Sequence, residues 1–527
     1  MNGKVPSLVI ENLPSGRRFN PDSVRRTASA RSFGLISSAA MLAAGGSAGI
    51  LGAALLATPS GATGTTWIVD SLGDGDANAS HCAPPTNGAC TLRDALAAEQ
   101  TGDTITFDSS LTGGTINLTA SQGRLRVDHQ GAITGPGSGS LTVNQTVSGH
   151  PVFYLVAYND NVVMSGLKVT GGTQSGIGGY GVTDLTLNDM EITGNSSKRG
   201  GGLYLDNFYG DLTLTDSYIH DNTAINEGGG IYVPATASNV SGPGSVHISS
   251  TVISNNTSGG SGGGGFLRNS ESVTIEDSTF SDNESGSGGG ALSISATPTS
   301  VVIAGSTFDG NTALDQGGAI VSFTSELTIS NSTFTANTGK GGGGLAALTG
   351  LLTINQSTFV GNAATGTDPD FDGGGGINVS GAAGLAAYLS GTIVSANTSA
   401  VSGQADLGLY SSSSTTVNAV NSLVGEIDSG ITLAGAGNVR SNTPLLGSLA
   451  NNGGPTKTMA LLLGSPAIDA GPDPVATFDG NEYDQRGVGY PRMISGQVDI
   501  GAFEFQPEPE PTTTTTSVNP VVPQFTG

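Results

Sequence analysis

The sequence predicts an all-β chain wound into a right-handed parallel β-helix. Three observations predict it: a repeated unit of 25–35 residues, period-two hydrophobic alternation inside each unit, and a glycine run between units. Glycine makes up 84 of the 527 residues, about 16% against an ordinary ~7%, which excludes a helical bundle. Hydrophobic residues reach 36%, too many and too regularly placed for a disordered chain, and no G-X-Y period exists to suggest collagen.

The chain opens on a basic segment with Lys4, Arg17, Arg18, Arg25, Arg26 and Arg31 against Glu11 and Asp22. No charge follows Arg31 until Asp70, and Ser37–Ala57 is apolar and rich in small residues. Residues 1–62 are therefore expected to be an export signal cleaved after Ala62, with Ser60 and Ala62 at the −3 and −1 positions. An uncleaved anchor is the alternative, and the Arg25-Arg26 pair faintly suggests twin-arginine export. Twelve basic and 40 acidic residues remain beyond Ala62, within a whole-chain charge of −24. So acidic a body repels phosphate backbones and anionic lipid; it excludes nucleic acid as a partner and disfavours anionic polysaccharides unless a cation bridges.

The only cysteines, Cys82 and Cys90, stand eight positions apart in a Gly/Pro/Asn-rich loop. Outside the cytosol a local disulfide is their expected state; a redox or metal site would need more partners than His81. Residues 63–140 form an expected N-terminal cap with the first coils.

Residues 141–440 carry the repeat. Each copy runs aliphatic-Thr-aliphatic, two residues, Ser-Thr-Phe or a variant, two residues, then Asn. The copies end at Asn195, Asn222, Asn256, Asn283, Asn311, Asn337, Asn362 and Asn397, in steps of 27, 34, 27, 28, 26, 25 and 35 residues. Leu327 and Ile329 point one way while Thr328 points the other, and Phe334 returns inward, so each unit is two or three short strands. A single unit cannot bury its own sheet edges and must stack on its neighbours. Asn tolerates left-handed backbone and its amide reaches the coils above and below, which predicts an Asn ladder at a turn. The glycine runs at 200–202, 228–230, 262–265, 288–290, 341–344 and 373–376 supply a corner where side chains would clash. About eleven coils at ~4.8 Å make a rod on the order of 50 Å long.

The Phe-x-x-Asn spacing (Phe280–Asn283, Phe308–Asn311, Phe334–Asn337, Phe359–Asn362) and Gly-Gly-Ala-aliphatic (Gly289–Leu292, Gly317–Ile320) resemble the repeats of polymorphic outer membrane proteins and related bacterial surface β-helices. Cys90-Thr91-Leu92-Arg93-Asp94-Ala95, followed by GDTITFDSSLTGGTINL, is similar to the CSLREA segment that opens many secreted β-helix proteins, with Thr for Ser and Asp for Glu. GSPAIDAG (464–471), Asp484-Gln485-Arg486-Gly487 and DIGAFE (499–504) resemble a choice-of-anchor Q segment, making 441–505 an expected C-terminal cap. The resemblance spans residues 65–505. It implies a pectate-lyase-like solenoid, exported and extracellular or on the cell surface, in adhesion or carbohydrate contact. The chain departs from it after Glu504, where residues 506–527 form a Pro/Thr-rich tail with no segment suited to an autotransporter barrel or hydrophobic anchor.

Among candidate sites, Tyr204 and Tyr232 each follow a glycine run and one aliphatic, so both are expected outward on adjacent coils beside Asp206 and Glu227, as a sugar platform. Asp368, Asp370 and Asp372 before Gly373 make D-x-D-x-D-G, a spacing that suits calcium, although Val379 replaces the Glu of an EF-hand. Lys198-Arg199, the one adjacent basic pair on the coils, reads as solvating a turn. His129, His150, His220 and His247 share no register, and no polygalacturonase signature occurs. Asp469, Asp484, Asp499, Arg486 and Arg492 read as a salt-bridged cap that closes the last coil. The expectation is a monomeric adhesion or glycan-contact module, with no catalytic residue and no membrane span in the mature chain. A polysaccharide lyase or glycoside hydrolase on the same fold is the alternative, and a passive wall spacer is the third class.

Overall fold

A computed structural model describes residues 64–506 apart from 84–88, 157–160, 235–243, 269, 382–384, 412, 474 and 476–481. All belong to the unit Pro59–Gly527. The expected export signal and the Pro/Thr tail from residue 507 onward lie outside the described residues.

The chain winds as a parallel β-helix with three faces. Among the described residues the long face takes two strand segments from most coils and totals 23 strands; a second face has 13 and a third has eight two-residue strands. Every pairing within these faces is parallel and joins one coil to the next. Leu185 sits beside Leu212, then Val246, then Val273, while Thr186 sits beside Thr213. Strict register follows from the alternation, since a one-residue slip would turn each inward Leu, Ile or Val out to solvent. On the second face the inward column runs Ile192, Ile219, Ile253, Phe280, Phe308, Phe334 and Phe359. All seven are fully buried. The four phenylalanines stack at 4.9, 4.5 and 4.3 Å, with planes 6–7° apart.

The ladder Asn residues also lie inside. Each Nδ2 donates one hydrogen to Oδ1 of the Asn one coil on, at 2.9–3.1 Å from Asn195 through Asn397. It also donates to a carbonyl one coil back, such as Val169 O from Asn195 and Phe308 O from Asn337. That same Oδ1 also accepts the backbone N–H of the preceding ladder Asn, so the amide is satisfied on every side while fully buried. The ladder ends where Asn397 donates to Asp406 Oδ1 at 2.8 Å, and Asp406 Oδ2 accepts from Glu426 N. The terminus needs only acceptors, and a carboxylate provides only acceptors. Burial pushes the Asp406 carboxyl up from its ordinary value, against the pull of these hydrogen bonds.

One expectation needs correction. The left-handed residue at this turn is not the ladder Asn but the residue before it: Asp221, Asn255, Asp282 and Ala336 have φ near +53 to +55°. A second left-handed column, Asp189, Asp216, Ser250, Asp277, Asn331 and Gln356, turns the chain from the long face to the second. The Ser or Thr after it forms another ladder: the hydroxyls of Ser278, Ser306, Ser332 and Ser357 each accept a backbone N–H from the coil before, at 3.2 Å. These two corners account for the residues that flank Ser-Thr-Phe in the repeat. The glycine corner opens the long face. Gly289 has φ +72°, and a Cβ there would stand 2.2 Å from Leu292 O; a Cβ on Gly290 would stand 2.2 Å from Gly318 O of the next coil.

At the N-terminal end Leu92–Ala98 forms the single α-helix among the described residues, started by a Thr91/Asp94 capping box. Its Leu92 and Ala95 join the core. Arg93 is buried, pairs with Asp74 at 2.7 Å and donates to the carbonyls of Gly123 and Arg124. Cys82 and Cys90 are joined by a disulfide. No described helix is long and apolar enough to cross a membrane.

The C-terminal segment departs from the expected cap. It runs back along the outside of the second face, where Thr456 donates to Gly305 O and Thr307 to Lys457 O. Farther on, Thr333 donates to Gln485 Oε1, Arg492 to Asn331 Oδ1, and Ala502 N to Thr358 Oγ1. With Gly501 N donating to Gly391 O and Asn421 Nδ2 to Ala470 O, it clasps five coils from the side. Outward Thr307, Thr333 and Thr358 are buried beneath it, whereas Tyr218 and Val252, in the same row on coils it does not reach, are exposed. The acidic and basic residues of this segment form a buried network that holds the segment together. Arg486 chelates Asp484 and donates to Glu504 O, Arg492 donates to Gly501 O, and Asp499 accepts from Asp469 N.

Candidate functional site

The outward side of the long face carries a second aromatic column. Along one row the register runs Arg126, Tyr154, Gly178, Tyr204, Tyr232, Phe266, Ser293. Tyr204 and Tyr232 stack at 5.6 Å with planes 9° apart, and Tyr232 stacks on Phe266 at 5.4 Å. The residues beside them, Leu203, Ile231 and Leu205, point inward and are fully buried, which sends the tyrosines outward.

Outward does not mean equally accessible. Tyr232 is only 8% exposed, because Tyr204 covers one ring face and Phe266 the other while Arg199 lies 5.6 Å from its centroid. Tyr204 is half-buried, and its side away from Tyr232 borders an open slot. Its hydroxyl donates to Asp206 Oδ2 at 3.1 Å, and burial followed by the Asp206 charge pushes its pKa up to about 12, so it stays a neutral donor. Arg199 donates to Glu227 Oε2 at 2.7 Å. The four sequence candidates thus split into two linked pairs: Tyr204 with Asp206, and Tyr232 with Glu227 through Arg199.

The slot has a volume of about 390 Å³, within the range of small-ligand sites. Tyr154 and Tyr204 flank it, Gly178 is its floor, and Arg124, Gln174, Lys198 and Arg199 line it. Arg124 lies 4.7 Å over the Tyr154 ring. Sequence reading missed Arg124, Tyr154, Gln174 and Gly178, which precede the recognisable repeats, and assigned Lys198 and Arg199 to a solvated turn. One available signal was the glycine at 178 in an otherwise aromatic row.

A second cleft of about 410 Å³ lies between the second face and the C-terminal segment, lined among others by Asp282, Asp309 and Lys457. Burial, and then the Asp282 charge, push the Asp309 carboxyl up. His220 sits apart on the second face, stacked on Tyr218 at 3.8 Å between Glu191 and Asp221.

In the D-x-D-x-D-G loop, Asp368 Oδ1 accepts from Asp370 N, and Asp372 Oδ2 accepts from Asp368 N. Asp372 is buried with Lys340 Nζ 3.4 Å from its Oδ1, an attraction without hydrogen-bond alignment. Among the described residues no group of three His, Cys, Asp or Glu side chains gathers as metal ligands.

Residues 277–295 and 305–322 match the Chlamydia polymorphic membrane protein repeat. Both stretches hold a left-handed corner residue, a stacked Phe, a ladder Asn and the Gly corner, so what the repeat preserves is the stacking machinery of one coil. No curated protein matches the chain in sequence. Among solved structures, the chain is similar to pectate lyase Pel9A at 13% identity, covering 84% of this chain and 97% of that one with a TM-score of 0.42. It is also similar to tailspike protein 3 of bacteriophage CBA120 at 12% identity, covering 68% of this chain and 59% of that one with a TM-score of 0.39.

Proposed function

We propose that this chain is an exported, surface-displayed β-helix that contacts glycans along the outward side of its long face without cleaving them. The observation that carries this reading is the Tyr204–Tyr232–Phe266 stack ending at an open, polar-lined slot. Aromatic faces beside hydrogen-bonding groups suit the mixed apolar and hydroxylated surface of a sugar ring. The polymorphic membrane protein repeat, the disulfide and the acidic body are all in keeping with life outside the cytosol. In the same reading the Asp368, Asp370 and Asp372 loop takes up calcium as a stabilising ion.

The test is to pass the full chain over a polysaccharide panel with and without calcium, scoring retention and new sugar ends together. Retention without new ends, weakened by Tyr204→Ala, is the expected result; no retention anywhere on the panel would sink the reading. A hydrolase is the second reading, favoured by one observation: Asp282 and Asp309 line the same cleft, and hydrolysis uses a pair of carboxyl groups. New reducing ends that vanish in Asp309→Asn would establish it.

A further inference from the structure

The outward row of the long face breaks at one point. Tyr154 and Tyr204 are register partners of Gly178 on either side, and Gly178 lies inside the strand Ile177–Tyr180. Glycine in a strand interior gives up packing and restraint, and it marks a place where something else approaches closely. The backbone does not require it. A Cβ at 178 would meet Ser175 Oγ at 3.5 Å, Pro151 Cβ at 3.7 Å and Tyr154 Cδ2 at 3.7 Å, which is ordinary contact. At Gly179 a Cβ would come within 2.9 Å of Leu205 Cδ2, so that neighbour is sterically constrained and Gly178 is not. The missing side chain leaves Tyr154 and Tyr204 two strand spacings apart, roughly 10 Å. Rings one coil apart in this row stack at 5.4–5.6 Å, so the spacing from Tyr154 to Tyr204 matches one further ring, above a Gly178 that is itself buried and beside the Arg124 guanidinium that lies over Tyr154.

The charge of the gap runs against that of the protein. Of the 12 basic residues beyond Ala62, Arg124, Lys198 and Arg199 converge on this slot in a chain of net charge −24. Glu227 occupies Arg199, but neither Arg124 nor Lys198 has an ion-pair partner among the described residues. Arg93 donates to the carbonyls of Gly123 and Arg124, which fixes the strand start that presents the Arg124 side chain.

We infer that the slot binds an acidic sugar residue: a pyranose ring inserted between Tyr154 and Tyr204 over Gly178, its carboxylate taken by Arg124 and Lys198. This rests on the glycan-contact reading and adds its specificity. It also reverses the expectation drawn from net charge, because net charge governs the distant field whereas recognition is decided by groups within a few ångströms.

The experiment measures binding of the full chain to a uronic-acid oligosaccharide and to its neutral methyl ester. The acid is expected to bind at least tenfold more tightly, with Lys198→Ala and Arg124→Ala each removing most of that preference. Gly178→Tyr should abolish binding at unchanged melting temperature; Gly178→Ala, whose Cβ fits, should weaken it and guards against a folding defect in the larger variant. Equal binding of acid and ester, still sensitive to Tyr204→Ala, would overturn the inference and leave the glycan reading standing. Wild-type affinity in Gly178→Tyr would place the ligand elsewhere and overturn the slot. No binding of either form, with no retention on the wider panel, would overturn both.

Discussion

Two aromatic stacks run along the same coils, one inside and one outside, and they are built differently. The inner stack, Phe280 to Phe359, is unbroken, fully buried and closes to 4.3 Å. The outer stack, Tyr204 to Phe266, is looser at 5.4–5.6 Å and stops at a glycine that its backbone does not need. Identical register produces both, so register alone does not separate a stabilising stack from a binding one. What separates them is what lies at the end. The Phe column passes into Ile253 at one end and Val394 at the other, and the core stays filled. The Tyr column opens on a cationic slot.

The largest effect expected from breaking this contrast is on the inner side. Phe334→Ala removes a ring stacked on both faces and should cost about 3–5 kcal/mol in unfolding equilibria, with sugar retention unchanged at temperatures where the variant is folded. A retention loss matching the stability loss would mean the two stacks are not independent. Next comes Asn311→Ala, which strands the Asn283 N–H and amide donors and the Phe280 carbonyl inside the core. Each stranded group is worth about 1–3 kcal/mol, and chemical denaturation reads the sum. If Asn311→Ala proved neutral, the ladder would be ornament and not structure.

How much of this was legible follows from the same contrast. The inner ladders are repeated at fixed spacing from a fixed turn, so Asn283, Asn311 and Phe308 announce themselves in one chain of letters. The left-handed position is ambiguous in the letters, since Asp282-Asn283 places two turn-tolerant residues side by side and only the backbone shows that Asp282 turns. The slot is assembled from Arg124, two coils earlier, and from Gly178 and Lys198, at the start and the far end of one coil. Nothing in their spacing repeats. The side-on clasp of the C-terminal segment was hidden for a related reason: Gln485 reaches Thr307 and Thr333 about 150 or more residues earlier, and a polar motif near a chain end fits an end cap equally well.

A smaller effect tests the outer stack alone. Tyr204→Ala removes the ring that borders the slot and should weaken sugar retention roughly two- to tenfold, the ~0.5–1.5 kcal/mol of an aromatic contact, with little change in melting temperature. Tyr232→Ala removes a ring already covered on both faces, so its expected cost falls on stability more than on retention. If Tyr232→Ala weakened retention more than Tyr204→Ala, the sugar would contact the middle of the stack and not its open end.

The remaining test is a pH dependence with one source in the inner-stack coils, which the C-terminal segment clasps, and a second at the N-terminal end. Burial, and then the Asp499 charge, raise Glu504 from 4.5 to about 8, and the Arg492 guanidinium 4.0 Å away does not compensate. Arg492 is itself pushed down by the same burial, so desolvation outweighs attraction on both sides of the pair. A carboxyl that holds its proton more tightly in the folded chain stabilises it fully below the unfolded value of 4.5 and loses that contribution as pH climbs to about 8. Glu99 at the N-terminal end is raised to about 8 as well, mainly by burial, and acts in the same direction. Melting temperature should therefore decline from pH 4.5 to 8, and Glu504→Gln should flatten part of the decline, with Glu99→Gln removing another part. Because the clasp reaches the coils from Gly305 to Asn421 and makes no hydrogen bond to those of Gly178 and Tyr204, hydrogen exchange in Glu504→Gln should change on the clasped coils and leave the slot strands as they are.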